Sequence, residues 1–468
     1  MPQNPAFYAG FCFFAAVGSG ILRCMQIRSL GRSKFIVASL VAFLLAWHCL
    51  SASATGQRPA QQVPNTCDGY PRLQIGMAEG FCAGLVVAPV GGKRRLQLPR
   101  SLVQLDDDTW LIADLGGWGT ARGAIWKLRV KSDAGVEIAR LIAGLNVPHA
   151  LAIGADGKAY VGEMSRIFRF DPRARIPADT IETMVSGLPD NRLHENRHPL
   201  SKFVFMPDGA LLVNIGAPSD QCLDTSGNAR ENSCPESEAG EYTASLRRYA
   251  PDGGGGWSRD YTVLAKGLRN SVALAVHRSG TVLQGENSYD FTTRWFPFDE
   301  VNLIRAGRHY GWPYCAGVAT PTPGWKGRRA MACGSRAHTA PVLLLPPHAA
   351  PLDMLWYEGV MFPQLQGTLL MSWHGYRSVG GRVVAFATDE MGVPVAGRDA
   401  RYPIYGGQPR RYGASPSADA FILTPGWGRA AGKRPQGSPV GLAVANDGAI
   451  WVTDDRAGQV IRIAVDRP

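Results

Sequence analysis

No dense run of lysine and arginine occurs in this sequence, although its 468 residues carry a net charge of +11. That absence excludes the continuous basic stripe by which proteins follow nucleic acid; charge scattered over a solvated surface accounts for the balance. There is no C-x-x-C-H motif, so no covalent haem domain is fused, and no two cysteines stand at zinc-knuckle spacing. The glycine-rich pieces Gly116-Gly117-Trp118-Gly119 and Gly253 to Gly256 lack the strand-to-helix frame of a dinucleotide or phosphate loop, and they read as turns. Amphipathic helices of useful length are missing as well. The two apolar runs near the N-terminus fall short of the ~20 residues that a membrane-spanning helix needs.

What the N-terminus does hold is a leader. Arg28, Arg32 and Lys34 precede an apolar stretch from Phe35 to Trp47, and Ala52-Ser53-Ala54 follows. A basic segment, a short apolar core and an A-x-A end describe a signal peptide over residues 1–54, with Met25 a second candidate for the true start. The expectation is an exported protein, periplasmic or secreted, that meets a membrane only through an uncleaved N-terminus. Cleavage removes Arg23, Arg28, Arg32 and Lys34 and no acid, so +11 becomes +7. Six of nine cysteines remain, as the sequence-local pairs Cys67/Cys82, Cys222/Cys234 and Cys315/Cys333. In an exported chain, local disulfide pairing is the economical arrangement.

The mature chain is rich in turns, with 55 Gly and 33 Pro in the full sequence. Six times a short polar hook leads into an apolar run of strand-like alternation: Leu98 to Leu102, Val147 to Leu151, His198 to Phe203, Leu268 to Val272, His348 to Leu352 and Gly437 to Leu442. Three of these runs reach an Asp-Gly turn and a second apolar strand, at Asp156-Gly157, Asp208-Gly209 and Asp447-Gly448. Such a repeat predicts an all-β fold, a six-bladed β-propeller of four-stranded antiparallel sheets. Residues 55–92 read as a tail and a lead-in strand that closes the ring with the C-terminus. Residues 93–468 read as the propeller itself.

In a propeller, equivalent positions of each blade meet at one end of the axis. The hooks would therefore gather Arg100, His149, His198, Arg269, Asn270 and His348 around one mouth. Guanidinium groups bind carboxylates bidentately and keep their charge, and a neutral imidazole can take a proton from a substrate hydroxyl. That combination points to an anionic cofactor with several acceptors and to the oxidation of an alcohol.

The run His198 to Phe203, the run Gly267-Leu268-Arg269-Asn270-Ser271-Val272, and Glu300-Val301-Asn302-Leu303-Ile304 followed by Tyr310-Gly311-Trp312-Pro313 resemble the soluble glucose/sorbosone dehydrogenase family. Pro347 to Pro351 and Pro439 to Val444 extend the resemblance, which runs in order over most of Leu98 to Ile463. It implies a six-bladed quinoprotein that uses pyrroloquinoline quinone (PQQ) and calcium (Ca2+). The expected substrate is a sugar, a sorbosone-like sugar aldehyde or a polyol, and electrons pass to an external quinone or soluble redox carrier. By the same resemblance His198 is the catalytic base. Arg269 and Asn270 contact the cofactor, and Arg377 supplies a further basic contact. His348, Arg100 and His149 complete the cofactor set from the hook pattern. Gly285, Glu286 and Asn287 mark the calcium site. Two departures stand out: Gly216-Ala217-Pro218-Ser219-Asp220 replaces the family's G-D or G-S turn, and Ser438 stands where an arginine is usual, with Arg434 close by.

Plainer readings of the same residues stand beside these. His198 can cap a blade by bonding a carbonyl, Arg269 can pair with Glu286 or Asp299, Glu286 and Asn287 can simply turn the chain, and Trp312 reads as packing. A calcium-dependent lactonase-type hydrolase and a non-catalytic binding propeller are the rival functions, because one scaffold hosts many activities.

Overall fold

The computed structural model describes residues 65–189, 198–199, 202–229, 232–238, 243–290, 296–327, 331–375, 380–395, 420–428, 430–431 and 434–467. The expected signal peptide, the alternative start Met25 and the predicted contact Arg377 lie outside these residues.

Six antiparallel sheets form the blades. Blade 1 comprises Pro99–Asp106, Thr109–Asp114, Gly123–Val130 and Val136–Leu145, and blade 2 comprises Ala150–Ile153, Ala159–Glu163, Arg166–Phe170 and Glu182–Val185. Phe203–Phe205, Leu211–Ile215, Ser245–Pro251 and Trp257–Lys266 make blade 3. Blade 4 is Ala273–Val276, Val282–Glu286, Asp299–Leu303 and Leu343–Leu345; blade 5 is Pro351–Trp356, Leu369–Trp373, Arg382–Phe386 and Phe421–Ile422. Blade 6 combines Pro439–Val444, Ile450–Asp454 and Gln459–Val465 with Phe81–Val87 from the start of the chain, so the two ends of the described fold close the ring. Blade 3 departs from four strands. Arg308–His309 adds a short fifth strand parallel to Trp257–Lys266, from the insertion between the third and fourth strands of blade 4.

Local chemistry accounts for the repeat. In three blades the Asp of the Asp-Gly turn accepts from the amide two residues on, at Lys158 (3.1 Å), Ala210 (3.0 Å) and Ala449 (3.0 Å). The intervening glycines hold φ of +73°, +81° and +88°, a left-handed conformation that costs glycine nothing. First strands of neighbouring blades contact one another, so they are innermost. A cavity of about 310 Å³ on the axis is lined by first-strand residues of all six blades, among them Leu102, Leu151, Phe203, Leu274, Met354 and Leu442. Apolar clusters fill the seams between blades; Leu111, Ile125, Val161 and Phe168 join blades 1 and 2, and Ala273, Leu283, Met354 and Met371 join blades 4 and 5.

Disulfides join Cys67 to Cys82, Cys222 to Cys234 and Cys315 to Cys333, the three local pairs expected from the sequence. The last two lie in the insertions of blades 3 and 4, which pack together through Tyr289, Trp312, Tyr314 and Trp325. Trp312 is therefore a packing residue, and its indole Nε1 donates to the Asp220 carbonyl at 3.0 Å.

One carboxylate gives a direct test of how the blades are held. Asp114 accepts from the backbone amides of Gln97 (2.9 Å), Leu98 (2.8 Å) and Gly116 (3.0 Å) while buried. Asp114→Ala strands these donors, and chemical denaturation should show a loss of about 2–3 kcal/mol; an unchanged midpoint would mean the clasp is idle.

Candidate active site

A hook leaves the sheet before its first strand begins, so its backbone amides need acceptors from elsewhere. The second strand runs antiparallel and ends beside the hook, and in four blades its last residue is an acid. Asp114 serves the hook of blade 1. Glu163 accepts from Asn146 N at 2.7 Å, Glu286 from Asn270 N at 3.0 Å, and Asp454 from Ser438 N at 3.1 Å. In blade 3 a neutral side chain one residue earlier does the same, with Asn214 accepting from Lys202 N; in blade 5 Ser372 accepts from Asp353 N inside the first strand, and the hook amide of Ala350 is held by Asp299 of blade 4 at 2.7 Å. The signal was present in sequence as an acid ending four of the six apolar second strands, and attention to the hooks alone missed it.

The hooks converge. Beneath them Leu115, Val147, Met164, Val272, Leu352 and Val440, from five different blades, form one buried cluster. Polar contacts then link blade to blade. Arg100 Nε donates to His149 Nδ1 at 3.3 Å, and Arg100 Nη1 pairs with Asp455 at 2.5 Å. Asp455 also meets His374 Nε2 at 3.0 Å. Lys202 pairs with Asp353 at 2.8 Å, and the other oxygen of Asp353 accepts from Leu442 N at 3.0 Å, which ties blades 3, 5 and 6 together. Asn287 Nδ2 donates to the Pro351 carbonyl at 2.7 Å, from blade 4 to blade 5.

His198 and Arg269 meet on one residue. His198 Nδ1 lies 2.5 Å from the Ala217 carbonyl, and Ala217 N donates to the Arg269 carbonyl at 2.8 Å. Because a carbonyl only accepts, Nδ1 carries the proton, and in the neutral ring that leaves the lone pair on Nε2. A Cβ on Gly216 would stand 2.5 Å from the His198 carbonyl, so glycine is required for this approach. The departure at Gly216–Asp220 thereby acquires a structure: Ala217 orients the imidazole through its backbone, and Asp220 turns to Arg269. The guanidinium donates to Asp220 Oδ1 (2.5 Å), Asp220 O (3.2 Å), Asn287 O (2.8 Å) and Asp290 Oδ2 (3.4 Å). Its ion-pair partners are thus Asp220 and Asp290, in place of Glu286 or Asp299.

Every fixed cation described in the ring has a carboxylate beside it, so the mouth is polar with its charges largely matched. Burial pushes Asp455 up, but His374 and Arg100 outweigh it and hold the carboxyl below its ordinary range. Burial, then Arg100 and Lys202, push His149 well below the usual imidazole value. His149 is therefore a neutral donor through Nε2. His348 is buried at a left-handed φ of 63°, at the start of blade 5. Asn270, half-buried, follows Arg269 at the hook of blade 4.

The residues expected to hold calcium divide. Gly285 sits in the ladder of blade 4 between Ala273 and Val301, and the Asn287 carbonyl accepts from Arg269. Glu286 faces Glu300 across the ladder, and next to them Gln284 faces Asn302. Burial pushes Glu286 up to about 7, and burial together with Glu286 pushes Glu300 up to about 8. Asp299, which accepts from Ser288 N and Ala350 N, is pushed by burial up to about 7. Asn302 is wholly buried, and its Oδ1 has no donor among the described residues. Two costly carboxylates beside an acceptor that lacks a donor form an oxygen-only set that fits a hard divalent cation. Arg269, with four of its five N–H groups engaged, and the His149 N–H fit a planar, acceptor-rich molecule sharing that cation.

A family model described as TrAA12-like matches residues 76–466. A PQQ-dependent pyranose dehydrogenase of Coprinopsis cinerea is 26% identical over 365 residues, covering 68% of this chain and 46% of that protein. An uncharacterized protein of Borreliella burgdorferi is 25% identical over 212 residues, covering 44% and 49%. The chain thus spans about half the length of the curated relatives it matches. Among solved structures, a Trichoderma reesei member of carbohydrate-active enzyme family AA12 superposes with a TM-score of 0.62 at 20% identity, over 85% of this chain and 98% of that one. The holo PQQ domain of the Coprinopsis cinerea pyranose dehydrogenase follows at 0.61 and 19%, over 85% and 99%. These likenesses establish the propeller fold.

The blade 4 carboxylates give a pH test with a defined sign. With their pKa raised in the folded state, the folded chain keeps protons that the unfolded chain has released above roughly pH 4. In chelated protein, stability should therefore fall from about pH 5 to about pH 8 and then level off. Adding calcium should restore the melting temperature at about pH 8 and do little at about pH 5. Glu300→Gln should flatten both trends, whereas a calcium effect that ignores pH and Glu300 would contradict the assignment.

Proposed function

This chain belongs to the TrAA12-like family, and we propose that its hook ring is the active site of a quinoprotein dehydrogenase. The substrate class is a sugar, sugar aldehyde or polyol, and the cofactors are pyrroloquinoline quinone and calcium. The observation that carries the reading is the attachment of His198 and Arg269 to one loop, the imidazole Nδ1 and the Arg269 backbone carbonyl to Ala217 and the guanidinium to Asp220. The relative named as a PQQ-dependent pyranose dehydrogenase supports the same chemistry.

Each residue then has a role its surroundings suit. His198, held with its proton on Nδ1 by Ala217, takes the hydroxyl proton of the substrate or hydrated aldehyde on Nε2. Arg269 and Asn270 orient the cofactor from the hook of blade 4, with Asp220 and Asn287 fixing the guanidinium plane. His149 donates from the opposite side, its neutrality preserved by burial and by Arg100. Glu286, Glu300 and Asn302 hold the cation. When bound, the quinone supplies the two-electron acceptor and calcium the Lewis acid that polarises it. Arg377 and His348 complete the cofactor contacts in this reading. Electrons leave to an external quinone or soluble redox carrier. Pairing of all six cysteines in the described fold supports export to an oxidising compartment.

Dye reduction with an aldose panel tests the reading. Apo protein given the quinone and calcium should reduce the dye, and His198→Ala should lower kcat by ~10²–10⁴-fold. Dye reduction independent of the quinone, or full activity in His198→Ala, would overturn it. Calcium-dependent lactone cleavage without dye reduction would instead identify a hydrolase.

A further inference from the structure

We propose that Trp118 is a stacking platform for a second sugar ring at the mouth of the hook ring, and that the substrate is an oligosaccharide or a chain end. The inference rests on the dehydrogenase reading for the identity of the site, and on independent geometry for the platform. The second strand of blade 1 ends at Asp114, whose carboxylate holds Leu98 of its own hook, so loop 115–122 emerges on the mouth side.

The loop is built around its tryptophan. Gly116 and Gly117 take φ of +67° and +143°. A Cβ on Gly116 would lie 1.9 Å from the Arg122 carbonyl, and Cβ atoms on Gly117 and Gly119 would lie 3.2 and 3.1 Å from the Arg122 side chain. Three glycines thus wrap Arg122 and leave Trp118 as the only large side chain of the G-G-W-G segment. The loop is also tied down. Ala121 N donates to Asn146 Oδ1 at 2.9 Å, and Asn146 N is itself held by Glu163, three residues before His149. A flexible loop would lose conformational freedom on binding; this one is fixed to the neighbouring hook in advance.

Trp118 is 59% exposed, and it is the one exposed tryptophan among the described residues. Isolated exposed apolar residues are ordinary, but a fixed indole on a shaped loop beside a sugar-oxidising ring is not scatter. The apolar C–H face of a pyranose covers an indole well, while its edge hydroxyls stay hydrated; the exposed Arg122 beneath adds N–H donors for them. A lone monosaccharide seated for oxidation between the hooks has no second ring to place there, whereas a longer substrate does.

Steady-state kinetics of the calcium- and quinone-loaded enzyme on glucose, cellotriose and maltotriose tests this. Wild type should show a KM for one trisaccharide about tenfold below that for glucose. Trp118→Ala should raise the trisaccharide KM about tenfold more than the glucose KM at similar kcat, and Trp118→Phe should retain most of the preference. Equal effects on glucose and both trisaccharides, or none, would overturn the platform. Affinity electrophoresis through gels containing soluble β-glucan or soluble starch reads the same surface without turnover. Retardation of wild type and free migration of Trp118→Ala support the platform even if no sugar is oxidised, and so separate its fate from that of the dehydrogenase reading. Equal migration of the two in both gels would overturn it, and would leave Trp118 to a protein partner.

Discussion

Backbone amides that leave a sheet must find acceptors, and in this propeller that requirement organises the mouth. In five blades a side chain at or next to the end of the second strand reaches the blade's own hook, and four of the five are acids: Asp114, Glu163, Glu286 and Asp454. Buried acids raise the local cost of charge, and the ring answers with cations and imidazoles drawn from other blades. Arg100, Lys202 and Arg269 each end beside a carboxylate contributed by a distant stretch of chain. Clasp and counter-ion together turn six similar sheets into one convergent polar surface.

Blade 4 is where this compensation is incomplete. Glu286 and Glu300 face each other, bonded by amide side chains and by the backbone amides of Asn270 and Gly317, and Asn302 Oδ1 lacks a donor among the described residues. The same blade carries Arg269 and Asn270 on its hook and leads into the disulfide-tied insertion packed on Trp312. A cation there would relieve two desolvated carboxylates at once, which couples the proposed cofactor site to the stability of the fold. His198 stands one blade away, its tautomer set by a backbone carbonyl where a carboxylate would have held it through charge.

Much of the architecture was legible from local pattern. Six hooks, the Asp-Gly turns and three close cysteine pairs are short-range features, and each corresponds to a blade, a turn or a bridge at its expected place. Partners across the ring were not legible. Asp455 is 355 residues from Arg100 and Asp353 is 151 from Lys202, and no spacing rule connects such positions. The positive mouth inferred from Arg100 and Arg269 was for that reason too positive, since their counter-ions come from other blades. The calcium trio was read as consecutive residues, whereas register across two strands brings Glu286 beside Glu300 and Gln284 beside Asn302. The G-G-W-G segment read as a plain turn, because nothing local reveals that its glycines enclose Arg122.

The central claim is that distant hooks form one site for one anionic redox molecule. Titrating the purified protein with pyrroloquinoline quinone in the presence of calcium, and following visible absorbance, tests it most directly. A saturable spectral change at one equivalent, weakened strongly in Arg269→Ala, is the predicted result. No saturable change, or the same titration in the variant, would contradict it.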